Sequence, residues 1–291
     1  MSIIEAILLG IIQGLTEFLP VSSSGHLVLF QKIFERISGE EMQKTGVLFE
    51  TMLHTGTLVA VFAALRKEIW ALLQKLLQPL TLYLIIATVP IMLCALAFRN
   101  QLEEAFETGR FLGVSFLVTS ALLVTAELLA KRAKNITADS AAVSGLKKPG
   151  EMNWKDALVI GVMQAIAVLP GVSRSGATLS GALSRRLDRD FAARFAFLLS
   201  IPAILCAVVY QIMDLVRVSS VIEEAAVITA GGIGAVAIIA GTLTAAIVGF
   251  FAVRLMLKIV REKSLWGFAI YTGILGLLVL VDQIVLRVVF I

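Results

Sequence analysis

Long apolar runs dominate the pattern of hydrophobic and polar positions along this chain. Residues 80–98 and 225–253 contain no formally charged side chain. Runs of this length can cross a hydrocarbon layer as helices. The pattern predicts six spanning helices, at roughly residues 47–65, 80–98, 111–130, 191–213, 227–253 and 265–286. We therefore expect an all-α, polytopic membrane protein.

Composition supports this class and excludes a soluble globular domain. Of the 291 residues, 58% are hydrophobic and 16% are charged, whereas soluble domains are about half apolar and about a quarter charged. The formal net charge is +4. Because Lys and Arg lie in short segments between the apolar runs, this charge fits orientation in a membrane and gives no reason to expect a nucleic-acid partner.

Two shorter apolar segments end in polar turns that contain a proline. Residues 3–19 lead to Pro20 and the sequence VSSSGH, and residues 157–169 lead to Pro170 and the sequence GVSRSG. A second short segment follows each turn. Irregular polar backbone at membrane depth is tolerated where it is buried in protein or lines a wet cavity, so each pair is predicted to be a re-entrant helical hairpin. The alternative is one spanning helix that is kinked at its proline.

The two hairpin segments match each other when one is displaced by 151 residues. Six positions are then identical: Gly10 with Gly161, Gln13 with Gln164, Val21 with Val172, Ser22 with Ser173, Ser24 with Ser175, and Gly25 with Gly176. Basic residues cluster on one predicted face, which the positive-inside rule assigns to the cytoplasm. This orientation predicts a single membrane domain of two inverted-topology repeats, about 1–135 and 151–291, joined by a polar cytoplasmic linker.

The first hairpin carries polar side chains whose placement in an apolar environment is energetically costly. Gln13 and Glu17 are four residues apart and so share one helix face. An ionisable group at membrane depth is costly and indicates a functional site. His26 follows Ser23 by three residues, close enough in a turn for the hydroxyl to contact a base. Alternatively, the serines cap the next helix and His26 bonds to the backbone.

The second hairpin has the features of an anion site. Backbone N–H groups in a glycine-containing turn at a helix N-terminus bind anions, and an arginine fork fits phosphate oxygens. The candidate clamp consists of Arg174 with Ser173, Ser175, Gly176 and Thr178. If the hairpins meet, this clamp faces a Ser/His pair and two oxygen ligands for Mg²⁺ or Ca²⁺, from Glu17 and Gln13. These parts match phosphoryl transfer.

A further polar pair, Glu50 and His54, lies inside an apolar run, one helix turn apart. These side chains either line the same cavity or pair with each other or with another helix. The sequence does not decide between the two interpretations. We include Glu50 among the candidate substrate-binding residues.

The motifs GxxQGLTEFLPVSSSGH at residues 10–26 and PGVSRSGAT at residues 170–178 resemble those of the undecaprenyl-diphosphatase family, the bacitracin-resistance phosphatases. The size of the chain and its pattern of apolar runs agree with the family over nearly the whole length. The resemblance implies an inverted-repeat fold in the bacterial inner membrane. It also implies an enzyme that removes the terminal phosphate of undecaprenyl diphosphate, recycles the lipid carrier for peptidoglycan synthesis and confers bacitracin resistance.

The resemblance also implies roles for residues at matching positions. Glu17 matches the motif carboxylate, and Gln13 occupies a position where some members have Glu, which weakens a two-carboxylate mechanism. Ser23 and His26 match the proposed nucleophile and its acid/base partner, and Arg174 matches the phosphate-binding arginine. Whether Ser23 or a water attacks phosphorus stays open. The candidate substrate-binding residues are Ser22, Ser24, Ser173, Ser175, Gly176, Thr178 and Glu50.

A membrane transporter or lipid flippase is the alternative function, because inverted repeats with broken helices are common among transporters. A transporter needs an anion site but neither a nucleophile nor a proton acceptor. Ser23, His26 and Glu17 therefore favour the phosphatase. The expected partners are a polyprenyl diphosphate and membrane lipid, and a homodimer is left open.

Overall fold

The computed structural model describes residues 1–38, 47–139, 146–219 and 234–290, and within these ranges the chain forms helices and no strand. The helices are α1 (Ile3–Thr16), α2 (Ser23–Ser38), α3 (Val47–Ala64), α4 (Arg66–Gln74), α5 (Pro79–Ala97), α6 (Arg99–Thr108), α7 (Leu112–Asp139), α8 (Trp154–Ile166), α9 (Arg174–Ser184), α10 (Arg189–Ser219), α11 (Ala235–Glu262) and α12 (Trp266–Val281). A 3₁₀ turn at Pro149–Glu151 and a π-helical turn at Asp282–Leu286 complete the described elements.

Within the described residues, five helical segments are long and apolar enough to cross a membrane, and α3 with α4 forms a sixth if this bent pair is one span. The five are Pro79–Ala97, Leu112–Lys131, Arg189–Gln211, Ala235–Glu262 and Trp266–Leu286. The prediction of about six spans is confirmed. The start of the predicted span 227–253 lies outside the described residues.

The segment at residues 66–79, between the first two predicted spans, is not predicted to be helical by the pattern of apolar runs. It contains the helix α4, which bends away from α3 by 79°. Ile69 in α4 is buried, whereas Trp70 is 63% exposed. An amphipathic helix with one buried face is the physical reason, because its apolar positions pack on one side and leave an aromatic residue on the other.

Each predicted hairpin consists of two half-length helices. α1 and α2 have 14 and 16 residues, and α8 and α9 have 13 and 11, all short of the roughly 20 residues that a span needs. Non-helical turns at residues 17–22 and 167–173 separate the two helices of each pair. The two helices of each pair pack against each other. The hairpins are therefore confirmed, and the alternative of one helix kinked at its proline is not.

The two halves use matching residues for matching structural tasks. Ser2 and Glu5 form a capping box at the start of α1, and the same box is formed by Asn153 and Asp156 at the start of α8. The matched glycines are tight contact points as well. A methyl group added to Gly10 would lie 2.5 Å from the carbonyl oxygen of Gly241, and one added to Gly161 would lie 2.7 Å from that of Ala87.

The hairpins pack across the boundary between the halves. α1 contacts α11, and α8 contacts α5, while α3 lies against α10 and α7 against α12. Each hairpin is thus held by a spanning helix from the other half. The inverted orientation of the halves and the cytoplasmic side of the linker stay predictions.

Apolar side chains face outward and many polar ones face inward, as a lipid environment requires. Leu93, Phe251 and Leu278 are 62%, 64% and 62% exposed. Gln13 and Gln164 have no exposed surface. Because hydrocarbon offers no hydrogen bonds, polar groups at membrane depth must be satisfied inside the protein. The packed interior is therefore the place where a polar site can form.

A buried ion-pair network ties the linker to the second hairpin. The fully buried carboxylate of Asp156, at the start of α8, accepts hydrogen bonds from Lys147 Nζ at 2.7 Å and from Arg185 Nε at 2.8 Å. Burial works to raise the pKa of Asp156, but the hydrogen bonds from Lys147 and Arg185 outweigh this effect and hold the pKa below its ordinary value. The network fixes the beginning of α8 relative to the end of α9.

Asp156→Asn is expected to lower the free energy of unfolding by about 2 kcal/mol, because two cations then face a neutral amide. The loss stays moderate since the side chains of Lys147 and Arg185 are 28% and 37% exposed. The Asp156 carboxylate contributes fully to the free energy of unfolding above about pH 4. This contribution is lost as the pH falls through the lowered pKa of the folded state. Thermal unfolding in detergent at pH 7 and in acid measures both effects. A difference between the two proteins that does not shrink in acid contradicts this explanation.

Candidate active site

The turns of the two hairpins lie against each other. The N–H of Gly171 in the second turn donates a hydrogen bond to Ser24 Oγ, 3.3 Å away. In return, Ser175 Oγ donates to the carbonyl oxygen of Leu19 in the first turn, at 3.0 Å. Each turn therefore satisfies a polar group of the other, and the hairpins share one polar centre.

The same serine position caps the second helix of each hairpin. Ser22 Oγ accepts a hydrogen bond at 3.1 Å from the N–H three residues on, and so does Ser173 Oγ, also at 3.1 Å. Such a cap stabilises a helix by about 1 kcal/mol. The residues that directly follow the caps are Ser23 and Arg174, so the repeat brings a hydroxyl and a guanidinium to equivalent places.

The carboxylate of Glu17 lies at the centre, with 2% of its side chain exposed. Its Oε1 forms an ion pair with the guanidinium of Arg174. Its Oε2 accepts hydrogen bonds from Ser23 Oγ at 2.6 Å and from Gln13 Nε2 at 3.0 Å. A buried carboxylate needs both a counter-charge and hydrogen bonds, and Glu17 has both. The close contact also places the carboxylate where it can take the Ser23 proton.

The ion pair joins two helix ends whose dipoles are unfavourable for these charges. Glu17 is the C-cap of α1, where the dipole is negative, and Arg174 is the first residue of α9, where it is positive. Each charge therefore depends on the other. An anion that arrives at the start of α9 would be favoured by both the helix end and the guanidinium.

Gln13 completes the surroundings of the carboxylate. Its Nε2 lies 3.1 Å from His54 Nδ1, which in turn lies 3.7 Å from Glu17 Oε2. Its Oε1 is buried and has no hydrogen-bond partner in the described part of the chain. An orphaned buried oxygen is costly, and beside a carboxylate it fits a cation that prefers oxygen ligands.

The residues available for a metal are few. Among the described residues there is no group of three His, Cys, Asp or Glu side chains that could hold a metal ion. A divalent cation at this centre would therefore be held by Glu17 and by Gln13 Oε1, with its remaining ligands from a bound phosphate or from solvent. The residues present fit a site of this open kind.

The imidazole of His26 does not make the predicted contact with Ser23. Its Nδ1 lies 2.7 Å from the carbonyl oxygen of Ser22, and its Nε2 lies 2.7 Å from the hydroxyl of Tyr271 on α12. Both ring nitrogens are thus occupied by other partners, while Ser23 bonds to Glu17. The physical reason is that His26 lies one helix turn beyond Ser22 and so reaches back to its carbonyl.

The sequence model of the bacitracin resistance protein BacA family matches residues 6–278 of this chain. The chain belongs to this family. The resemblance drawn from the two hairpin motifs is thereby confirmed, and it extends to nearly the whole length.

Three curated relatives of this family member are named as undecaprenyl-diphosphatases. The undecaprenyl-diphosphatase of Carboxydothermus hydrogenoformans is 43% identical over 283 residues, which are 97% of this chain and 98% of that protein. Undecaprenyl-diphosphatase 4 of Bacillus thuringiensis subsp. konkukian is 41% identical over the same shares. The undecaprenyl-diphosphatase of Alkaliphilus metalliredigens is 33% identical over 96% of this chain and 98% of that protein. These names do not favour the transporter alternative.

Several predicted substrate-binding residues of this BacA-family chain have structural contacts. Ser24 and Ser175 join the turns, and the caps at Ser22 and Ser173 support the interpretation that serines begin the next helix. Thr178 Oγ1 lies within hydrogen-bonding distance of two carbonyl oxygens inside α9, at 2.9 and 3.2 Å. Their direct contact with a substrate stays a prediction.

Two of the predicted substrate-binding residues lie at the edge of these contacts. Gly176 supplies the capped N–H of α9 and lies close to Pro20 of the first turn, where an added methyl would be 3.4 Å from the proline ring. Glu50 is partly exposed in the first turn of α3. It therefore lies one helix turn before His54, which does reach the centre.

Three residues outside the predicted set take part in the centre. His54 was considered only as one of a pair, and its apolar run gave no direction for its side chain. Tyr271 contacts His26 from a helix near the other end of the chain. Thr119 on α7 accepts the N–H of Ser173 at 3.0 Å. No local pattern could reveal these contacts, because each depends on how distant helices pack.

Proposed function

We propose that this protein hydrolyses undecaprenyl diphosphate to undecaprenyl phosphate and inorganic phosphate in the bacterial plasma membrane. The observation that supports it best is the convergence of Arg174, Glu17 and Ser23 where the two hairpin turns meet. A cation, a carboxylate and a hydroxyl in one buried centre are the parts that phosphoryl transfer uses. The product is the lipid carrier that peptidoglycan synthesis consumes, so the activity would also confer bacitracin resistance.

The diphosphate is held by the second hairpin. Arg174 has 21% of its side chain exposed, so the guanidinium reaches the surface of the centre. It has more donors than its pair with Glu17 requires, and the N-terminus of α9 adds favourable N–H dipoles. These groups neutralise the negative charge that repels an attacking oxygen.

The proton of the nucleophile goes to Glu17. Ser23 Oγ already donates to Glu17 Oε2, so the carboxylate takes this proton as the hydroxyl oxygen attacks the terminal phosphorus. The anhydride bond then breaks, and undecaprenyl phosphate leaves with the proton from Glu17. Glu17 next takes a proton from the water that attacks the phosphoserine, the bond between Ser23 Oγ and phosphorus breaks, and this proton returns to Ser23 Oγ. In the other course, a water held in the same place attacks directly and Ser23 orients it. Glu17 is the base in both courses.

We also propose a divalent cation, Mg²⁺ or Ca²⁺, held by Glu17 and Gln13 Oε1. Such an ion, when bound, offsets the charge of the diphosphate. The Gln13 oxygen supports this assignment because it has no described partner and its own amide contacts the Glu17 carboxylate. The Gln164 oxygen has no described partner either, but its amide contacts the carbonyl oxygen of Ala87. Gln13 contributes no charge, so the affinity for the ion depends on the single carboxylate and on the substrate oxygens.

Phosphate release from undecaprenyl diphosphate by the purified protein in proteoliposomes tests the function. The wild type with Mg²⁺ is expected to release inorganic phosphate, and chelation with EDTA to slow it. A protein that binds the lipid, releases no phosphate with either cation and moves the lipid between leaflets would instead be a flippase. That result would overturn the phosphatase proposal.

Gln13→Ala is expected to weaken cation binding at least about tenfold, because it removes one of the two protein ligands of the proposed site. The matched control is Gln164→Ala, since the repeat places Gln164 at the equivalent position, where its Nε2 bonds to the carbonyl oxygen of Ala87 at 3.2 Å. Mn²⁺ binding followed by electron paramagnetic resonance, without turnover, compares the two variants. Equal affinities for Mn²⁺ would argue against a ligand role for Gln13.

The remaining partners are proposals as well. Membrane lipid surrounds the outward-facing apolar side chains, and the prenyl tail of the substrate is expected to lie among the helices. A homodimer stays a prediction, and crosslinking in native membranes would test it.

A further inference from the structure

The turn that presents Ser23 contains a residue in an unfavourable backbone conformation. Ser22 has φ +75°, a left-handed value that residues other than glycine rarely adopt. Such a conformation persists only where surrounding contacts enforce it. Since Ser23 follows directly and donates to Glu17 at 2.6 Å, any relaxation of Ser22 would move the Ser23 hydroxyl away from the carboxylate.

The side chain of His26 contacts the carbonyl oxygen of this residue. The carbonyl oxygen of Ser22 lies 3.2 Å from the backbone nitrogen of His26 and 2.7 Å from its Nδ1. A carbonyl oxygen can only accept hydrogen bonds, so Nδ1 must carry a proton and donate it. The imidazole therefore closes a second bond on the same carbonyl and braces the turn.

The other ring nitrogen identifies the partner of this brace. In the neutral imidazole with a proton on Nδ1, Nε2 is an acceptor, so the Tyr271 hydroxyl at 2.7 Å donates to it. The Phe116 ring packs nearly perpendicular to the imidazole, with ring centroids 5.4 Å apart. His26 is 3% exposed. The contacts described for the ring, to Ser22, Tyr271 and Phe116, include no charged group.

We propose that Tyr271 is a positioning residue for the reaction. It fixes the tautomer and orientation of His26, and His26 in turn holds the left-handed turn that presents Ser23 to Glu17. The inference rests on the proposed phosphatase function. It replaces the expected acid/base role of His26 with a role as donor to the Ser22 carbonyl. Because Tyr271 lies on α12, the brace connects the first hairpin to a spanning helix of the other half.

Kinetics of four variants distinguish a brace from a proton carrier. Tyr271→Phe keeps the ring but loses the hydrogen bond, so kcat is expected to fall about fivefold with KM unchanged. His26→Ala is expected to lose about 100-fold in kcat. Asparagine places its amide N–H close to where histidine has Nδ1, so His26→Asn is expected to recover most of that loss. His26→Gln is not expected to recover this loss, because its amide reaches the position of Nε2 and not that of Nδ1.

The outcomes separate the two roles. If His26→Asn is as slow as His26→Ala, or if its pH–rate profile lacks a limb that the wild type has, His26 transfers a proton and the proposal is wrong. An unchanged kcat in Tyr271→Phe would remove Tyr271 from the brace. The same profile in the wild type and in His26→Asn, at different rates, supports positioning.

A readout without turnover keeps the proposal testable if the wild type releases no phosphate. Ser23→Cys introduces a thiol whose alkylation rate reports the geometry of the turn, measured against the background of the two native cysteines, Cys94 and Cys206. In the Ser23→Cys protein, a second change of Tyr271→Phe or His26→Ala is expected to alter the alkylation rate several-fold. A second change of His26→Asn is expected to leave this rate nearly the same. One rate for all combinations would overturn the brace independently of the function.

Discussion

Replacing Arg174 by alanine is expected to reduce phosphate release by at least about 10³-fold, the largest loss that we predict for a single residue. The guanidinium supplies the permanent positive charge paired with Glu17, and removing a group that neutralises phosphoryl charge causes losses of this size. Initial rates with undecaprenyl diphosphate in proteoliposomes, measured over a range of substrate concentrations, give kcat and KM separately.

Loss of activity in this variant must be separated from loss of folding. Removing the guanidinium leaves the buried Glu17 carboxylate without a counter-charge, which typically costs about 3–5 kcal/mol. Arg174→Ala combined with Glu17→Gln removes both charges, so its unfolding temperature should return toward the wild-type value while activity stays absent. Arg261→Ala is the matched control, since Arg261 is 60% exposed in a surface pair.

Arg174→Lys refines the interpretation. A lysine keeps the charge but not the planar fork that holds two phosphate oxygens, so we expect an intermediate rate and a raised KM. Near-normal turnover by the folded Arg174→Ala protein would mean that the diphosphate is held elsewhere, and the clamp assignment would have to be withdrawn.

Replacing Glu17 by glutamine is the second large effect, an expected loss of about 10²–10⁴-fold in kcat. The amide has nearly the same shape and can still contact Ser23 and Gln13, but it cannot take a proton. Arg174 loses its partner yet keeps 21% of its side chain exposed, so this variant should fold. Glu262→Gln is the control, because Glu262 has 41% of its side chain exposed.

The contribution of Ser23 can be measured by combining Ser23→Ala with Glu17→Gln. If Glu17 acts by taking the proton of Ser23, then Ser23→Ala added to Glu17→Gln should cost little more than either change alone, because groups that act as a unit are not additive. Losses that multiply would show that Glu17 acts on a water and Ser23 separately. Activity of Glu17→Gln close to that of the wild type would remove the carboxylate from the mechanism.

Much of the local structure could be predicted from the sequence. Charge-free runs marked the spans, and two prolines with V-S-x-S-G marked the hairpin turns, because backbone polar groups in lipid tolerate few alternatives. The repeat was visible in the same motifs. The short helix at Arg66–Gln74 was missed, since its charges are those of a connecting loop and only the buried face of Ile69 distinguishes it.

The partners of individual side chains could not be predicted in the same way. The spacing of Ser23 and His26 allowed a contact between them, yet the hydroxyl bonds to Glu17 and the imidazole to Tyr271. Spacing along the chain defines which side chains share one helix face. It does not define which face of another helix comes to lie opposite.

The sequence by itself therefore determined the class of protein, the family and the side chains that could take part in a reaction. It also marked the starts of the four hairpin helices, since a side-chain cap is made by residues within one turn. Only the tertiary structure decided that Glu17 belongs to both Ser23 and Arg174, and that His54 and Tyr271 join them. These contacts depend on how closely the hairpins and the helices from opposite halves of the chain approach each other. Side-chain packing sets these distances, and the spacing of residues along the sequence does not.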